Sequence, residues 1–207
     1  MKERAIIGSR ILTFLLVLAL VLGTAVALSG CQSKEQQAEA SLKSLLDDYK
    51  SGTLDLLNDS ESSELAGMDV NTKELLSALT EDFSYEINGA TENTGTGTVD
   101  VKVTIHSKQL VSAIKNALPD MLSYSLSAST AGASEEEIQA QLSSMVIEQL
   151  KHEDAVDTTI TVPMQEDSGD VITTAEGKQA LVNAILGDVD ELQKALTIDA
   201  SELKDAA

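Results

Sequence analysis

Thr98-Val99-Asp100-Val101-Lys102-Val103-Thr104-Ile105 sets four β-branched aliphatic residues at alternate positions, with polar residues between them. Successive side chains of a strand point to opposite faces, so this stretch is a strand with one apolar and one polar face. That pattern suits an antiparallel sheet covered on one side and solvated on the other. Upstream, Phe83, Tyr85 and Ile87 alternate with Ser84, Glu86 and Asn88. Asn88-Gly89 and the Thr/Gly/Asn run to Gly97 read as the turn that joins the two strands into a hairpin.

Downstream the period changes to that of a helix. Leu110, Ile114, Leu118 and Met121 or Leu122 share one face, and Pro119 is expected to kink or break it. Residues 123–134 are rich in Ser and Ala and are compatible with helix or loop. Ser134-Glu135-Glu136-Glu137 is a capping box with acids in the first turn, and Ile138, Leu142, Met145 and Leu150 continue the helix it starts. Val156, Thr158, Ile160, Val162 and Met164 then alternate with polar residues as a third strand, in which Pro163 belongs near an edge or strand end. A turn at 167–169 leads to a short fourth strand beginning at Val171. A last helix is capped near Thr173 or Thr174 and turns Ala180, Leu181, Ala184 and Ile185 inward, and Gly187 marks its end or a break, with Val189 and Leu192 beyond.

Working toward the start, Asn71-Thr72-Lys73-Glu74 looks like a reciprocal cap for a helix bearing Leu75, Leu76 and Leu79. Residues 58–67 read as loop or frayed helix, and Leu54, Leu56 and Leu57 resume an apolar pattern that Ser51-Gly52 interrupts. Ala38, Leu42, Leu45, Leu46 and Tyr49 form a helical stripe, preceded by a short polar tether over 31–37. The expected fold class is α+β, a curved, cone-like antiparallel sheet of about four strands packed on helices. It occupies one domain over 38–195, followed by an acidic tail over 196–207.

Residues 1–10 carry Lys2, Arg4 and Arg10 against Glu3, and residues 11–28 form an uncharged run dominated by Leu, Val and Ala. This is the layout of an export signal over 1–30. Eighteen residues span roughly 27 Å as helix, so an uncleaved transmembrane helix has the right length as well. The run ends in Leu28-Ser29-Gly30-Cys31, which holds the only cysteine of the chain. It resembles the lipobox of bacterial lipoproteins at all four positions. The resemblance implies cleavage between Gly30 and Cys31 and a diacylglyceryl group on the Cys31 sulfur, hence a lipid anchor on the extracytoplasmic face of a membrane. Two acyl chains suffice for stable anchoring where one does not. With no second cysteine, an exported domain has to be stable without an internal disulfide.

Cleavage would leave 177 residues. Losing Lys2, Arg4, Arg10 and Glu3 takes the basic and acidic counts from 14 and 34 to 11 and 33, and the net charge from −20 to −22. Such a body lacks the basic footprint of a nucleic-acid binder and is repelled by anionic lipid. With no Trp, and with Phe83 and three tyrosines as the mature aromatics, the core is aliphatic and a stacking site for sugars or bases is not expected.

Three stretches are similar to a group of small bacterial lipoproteins of unknown function with a nuclear-transport-factor-two-like or cystatin-like domain. They are Asp82-Phe83-Ser84-Tyr85-Glu86-Ile87, the strand Thr98–Ile105, and Leu181-Val182-Asn183-Ala184-Ile185-Leu186-Gly187. The resemblance implies a curved sheet wrapped on helices and brings no catalytic residues with it. Such proteins commonly carry Trp on the last strand, where this chain has Val171 and Ile172.

No nucleophile elbow, metalloprotease His pair, phosphate loop or calcium-loop spacing occurs, so no catalytic residue, metal or cofactor is expected. His106 falls on the polar phase of its strand, and His152 in Lys151-His152-Glu153-Asp154 complements a helix C-terminus. The inward phase comprises Phe83, Tyr85, Ile87, the 99–105 aliphatics, and Val156, Thr158, Ile160, Val162 and Met164, of which Tyr85 alone is ionisable. Asp47, Asp48 or Asp55 would have to reach in from a helix to make an acid–base pair. The leading expectation is a non-catalytic binding domain for an envelope protein or a small apolar ligand. The alternative is a cone-fold enzyme of isomerase or hydrolase type. A transporter's substrate-binding lipoprotein would need two lobes, for which the strand–helix pattern gives no room.

Overall fold

The computed structural model describes residues 33–51, 72–189 and 191–192. The export signal, the lipobox, Leu54, Asp55, Leu56, Leu57, Asn71 and the acidic tail lie outside them. Within the described residues the chain is α+β, with five helices and one open four-stranded antiparallel sheet. The helices are α1 (Lys34–Ser51), α2 (Thr72–Thr80), α3 (Leu110–Ala131), α4 (Glu135–His152) and α5 (Ala175–Leu186). The strands β1 (Ser84–Asn93), β2 (Thr98–Ser107), β3 (Val156–Asp167) and β4 (Asp170–Thr173) lie side by side in chain order.

β2 is central. Val99, Val101, Val103 and Ile105 are each at most 4 % exposed, and they face Met164, Val162, Ile160 and Thr158 across the β3 ladder. α1 and α5 cover this face with Ala38, Leu42, Leu45, Leu46 and Tyr49 from one helix and Leu181, Val182, Ala184, Ile185 and Leu186 from the other. Each fully buried aliphatic side chain contributes ~1.5–3 kcal/mol of transfer free energy.

The first hairpin is longer than the turn signal at Asn88-Gly89 indicated. β1 continues to Asn93, and Asn88 is an extra residue between the pairs Ile87–Val103 and Gly89–Lys102. This is a β-bulge, eased by Gly89 at φ 122°. The turn proper follows Asn93, whose carbonyl accepts the Gly97 N–H at 2.8 Å.

α1 also starts before the expected position. Ser33 and Gln36 form a reciprocal cap: the Gln36 N–H donates to Ser33 Oγ at 3.4 Å and the Ser33 N–H to Gln36 Oε1 at 3.3 Å. The polar stretch read as tether is therefore helix from Lys34 onward.

α3 runs through Pro119 without a break. The missing N–H is outweighed by packing on both sides of it, where Ala117 and Met121 bury against Ile138 and Leu142 of α4. The ambiguous 123–131 stretch is the rest of α3, closed by Gly132 at φ 83° with the Ala133 N–H returned to the Ala128 carbonyl. The Ser134–Glu137 capping box is present as expected. Val156 departs from the expected inward pattern at 44 % exposed, because it opens the part of β3 that has no strand beyond it.

Pro163 sits where that open edge ends, and β4 pairs only from Met164. Its carbonyl accepts both the N–H and the hydroxyl of Thr174, at 3.1 and 2.9 Å, and the same hydroxyl oxygen accepts the Gly177 N–H at 3.1 Å. The first turn of α5 is thus fastened to β3. A Cβ at Gly177 would lie 2.6 Å from the Pro163 carbonyl oxygen and 2.8 Å from Thr173 Cγ2. Gly177→Ala should therefore lower the unfolding free energy by ~1–3 kcal/mol despite the better helix propensity of Ala, as measured by urea denaturation. An unchanged or raised midpoint would show that α5 is not held this closely.

Candidate functional site

A polar cluster with an ionisable pair lies at the margin of the inner face. Tyr85 on β1 donates its hydroxyl to Asp47 of α1, and Lys43, one turn earlier, donates to the other Asp47 oxygen. Burial, and then the bond to Asp47, push the Tyr85 phenol up to about 12. Hydrogen bonds from Lys43 and Tyr85 hold the Asp47 carboxyl below the usual carboxylate range. A general acid or base works best with a pKa near the operating pH. Here both groups are moved away from neutrality, in opposite directions, which makes the cluster a lock between α1 and β1. Behind it, the Tyr49 and Phe83 rings meet edge to face with centroids 4.7 Å apart. The Tyr49 hydroxyl is buried without a hydrogen-bond partner among the described residues, and burial pushes its phenol well up.

The outer face of the sheet is polar and exposed. Ser84, His106 and Asp157 stand in one row across β1, β2 and β3. His106 Nδ1 lies 2.6 Å from Asp157 Oδ1, so an ionised carboxylate fixes Nδ1 as the donor. The next row links Thr104 to Asn88 Oδ1 at 3.0 Å and to Thr159 at 2.9 Å. A Ser-His-Asp order is the order of a nucleophilic triad, but a triad also joins serine to imidazole through a hydrogen bond and encloses the reacting atoms. In this geometry the His–Asp bond is formed, the Ser84–His106 bond is not, and the Asp157 side chain is 73 % exposed. The row presents hydrogen-bonding side chains on an open, exposed sheet face.

A third polar group closes the far end of the core. Ser107 is the last residue of β2 and lies on its inner phase. Its hydroxyl donates to the carbonyl of Ala184 or Ile185, at 3.1 and 3.2 Å, and Gln109 Nε2 donates to Ser107 Oγ and to the Ala184 carbonyl, each at 3.1 Å. These are carbonyls of the last turn of α5, which have no partner within the helix. Beside them Lys108, 5 % exposed, lies 3.1 Å from Asp82 and 3.4 Å from Glu81. Burial works to lower the Lys108 pKa, and the two carboxylates outweigh it, so the net shift is upward.

Of the residues the sequence singled out, Tyr85 and Asp47 are brought together and His106 joins Asp157. His152 ends α4, exposed, and Asp48 faces solvent on α1. Gly30, Cys31 and Asp55 are outside the described residues. Asp157 and the Ser107–Lys108–Gln109 group were not singled out; the polar triplet that ends the β2 alternation was the local sign of the latter. Among the described residues, no three His, Cys, Asp or Glu side chains are grouped to hold a metal, and no helix is long and apolar enough to cross a membrane. Comparison with protein-family models, curated proteins and solved structures finds no match to the chain.

The lock has opposite signs at the two ends of the pH scale. Asp47, depressed in the folded state, contributes stability above its unfolded pKa near ~3.9, and this is lost as pH falls through the folded value. Tyr85, raised, contributes below pH ~10, and this is lost as pH rises toward about 12. Asp47→Asn should bring the Tyr85 ionisation down toward pH 10 in an ultraviolet titration, with the Tyr85→Phe variant identifying the step. An unmoved step would mean that Asp47 does not hold the phenol. Separately, Tyr49→Phe removes an unsatisfied buried hydroxyl and should leave stability unchanged or raise it by about 1 kcal/mol. A loss of that size on urea unfolding would mean that the hydroxyl is paired.

Proposed function

We propose that the chain is a bacterial lipoprotein, held by a diacylglyceryl group on Cys31, whose extracytoplasmic domain serves binding rather than catalysis. The observation that carries this reading is Leu28-Ser29-Gly30-Cys31, the sole cysteine of the chain, at the end of a basic-then-apolar leader. The fold supports the second half. The inner face of the sheet is filled by aliphatic side chains from α1 and α5, and its one ionisable cluster is tuned away from neutral pH. What the domain offers to a partner is the outer sheet face, a row of Thr, Asn, His and Asp side chains that suits an envelope protein better than an apolar small molecule. The strongly acidic composition is at odds with a nucleic-acid partner.

Cys31→Ala should abolish fatty-acid incorporation and block the cut before residue 31, so that an unprocessed precursor accumulates. Metabolic labelling with a radioactive fatty acid and mass determination of the product check both. Unchanged processing together with unchanged membrane retention would replace the lipid anchor with a transmembrane one. For the binding role, photocrosslinkers at Thr159 and Thr161 should capture one reproducible envelope protein, and no capture there, or equal capture from crosslinkers moved to the turn between β1 and β2, would speak against the outer face.

A further inference from the structure

The two ends of this domain differ, and the chain enters at one of them. Lys34, the first residue of α1, bridges to Glu166 at 3.0 Å, which places the start of the helix beside the β3–β4 hairpin. The register of the meander puts the other tight turn at the same end: Asn93 pairs with Thr98, and Val99 pairs with Met164. At the opposite end Ser84, His106 and Asp157 are aligned, and there the chain leaves β2 for α3 and returns from α4 into β3. The base of the α3–α4 hairpin, with Leu110, Val111, Ala113, Ile114 and Leu150, belongs to the sheet core. Among the described residues its outer part forms a separate cluster of its own, through Ala117, Met121, Ala128, Ile138 and Leu142. The hairpin therefore extends the domain away from the end at which α1 begins.

We propose that the end formed by the first turn of α1 and the two β-hairpin turns faces the lipid surface, and that the α3–α4 hairpin projects away from it. This rests on the lipid anchor at Cys31. Because α1 is capped at Ser33, Cys31 is two positions from an ordered helix start, a reach of at most ~7 Å of chain. The ten residues of β2 span ~33 Å, several times that reach, so the turn end is the part of the sheet that the tether holds at headgroup level. The chemistry of that end fits a surface it stands on and does not enter. Its turns are Thr94-Gly95-Thr96-Gly97 and Ser168-Gly169, without an apolar side chain. Lys34 bridges to Glu166 and has Glu92 close by, and Asp100, Asp167 and Asp170 stand at the same end of the sheet, so among the described residues this end is net acidic and anionic headgroups repel it.

The lone cysteine makes the test clean, since acylation consumes its thiol and leaves an introduced cysteine as the one site for labelling. Thr96→Cys and Gln165→Cys place a fluorophore at the turn end, and Ser129→Cys places one near the tip of the α3–α4 hairpin. The lipidated proteins are inserted into vesicles of phosphatidylcholine and phosphatidylglycerol that carry a nitroxide-headgroup lipid, and matched thermal melting confirms that each variant is folded. Quenching at 96 and 165 should exceed that at 129 several-fold. Equal quenching at all three sites, or strongest quenching at 129, overturns the orientation. Fatty-acid labelling and detergent-phase partition of the same preparations separate the two claims. Lipid present with a flat or inverted gradient defeats the orientation alone, whereas lipid absent defeats both it and the lipoprotein reading.

Discussion

Burial of the inner face of β2 is the constraint that the rest of the domain serves. With one cysteine no internal disulfide can hold this fold together, and with few aromatics Val99, Val101, Val103 and Ile105 carry most of the burden with the helices laid on them. A slip of one residue would turn all four to solvent, so β2 tolerates no change of register. Being paired on both sides fixes it. The neighbours adjust instead. β1 takes up the mismatch at Asn88, where the bulge moves its inward phase from Phe83, Tyr85 and Ile87 to Ala90 and Glu92, the latter past the cover of the helices and exposed. β3 lets its first residue, Val156, stay in solvent. At the end of β2 the inward phase meets a helix terminus, and there a Val would strand the carbonyls of α5. Ser107 occupies that position and, with Gln109, satisfies them.

The pieces fastened around this face use polar contacts whose geometry is set by the core rather than by their own strength. The Thr174 hydroxyl links a strand carbonyl to a helix N–H because β4 is only four residues long and delivers α5 directly against Pro163. Asp47 reaches Tyr85 because Leu42, Leu45, Leu46 and Tyr49 bury the opposite side of the same helix turns. Lys108 can bury its stem because Glu81 and Asp82 wait at the end of α2, brought there by Phe83 entering the core three residues after Thr80. Exposed ion pairs such as Lys151–Glu74 and Lys115–Glu191 contribute little each.

What was legible in the sequence follows from how local the signal is. Strand alternation, the Ser134 capping box and the Gly187 stop are written within a few residues, and they locate β1 to β4, α4 and α5. The start of α1 was equally local, a Ser-x-x-Gln cap at Ser33, but the polar residues after it hide the helix from a search for apolar spacing. Asn88-Gly89 is a strong hairpin-turn dipeptide, and only the partner strand shows that it is a bulge, since the alternation in β2 continues past it. Pro119 is the reverse case, a local breaker overruled by the facing surface of α4. The polar groups were the least legible, because His106 with Asp157 and Lys108 with Glu81 and Asp82 join residues far apart in the chain, and nothing local marks a pair.

The early start of α1 changes what a lipid on Cys31 would do mechanically. Seven flexible residues would let an acidic body drift roughly 25 Å from its anchor, and charge repulsion would then set its distance and leave its orientation free. A helix beginning at Lys34 removes most of that slack. Ala38 and Leu42, one and two turns further along, are fully buried in the sheet core, so α1 is at once the attachment point and a wall of the domain. Any pull on such an anchor would be borne by the same aliphatic packing that holds β2, and the cap at Ser33 would be the joint between membrane and fold. A body of net charge −22, as cleavage before Cys31 would leave, could be held that close to lipid without strain only if the end beneath it were polar and uninserted, and two glycine-containing turns beside one helix terminus would meet that requirement.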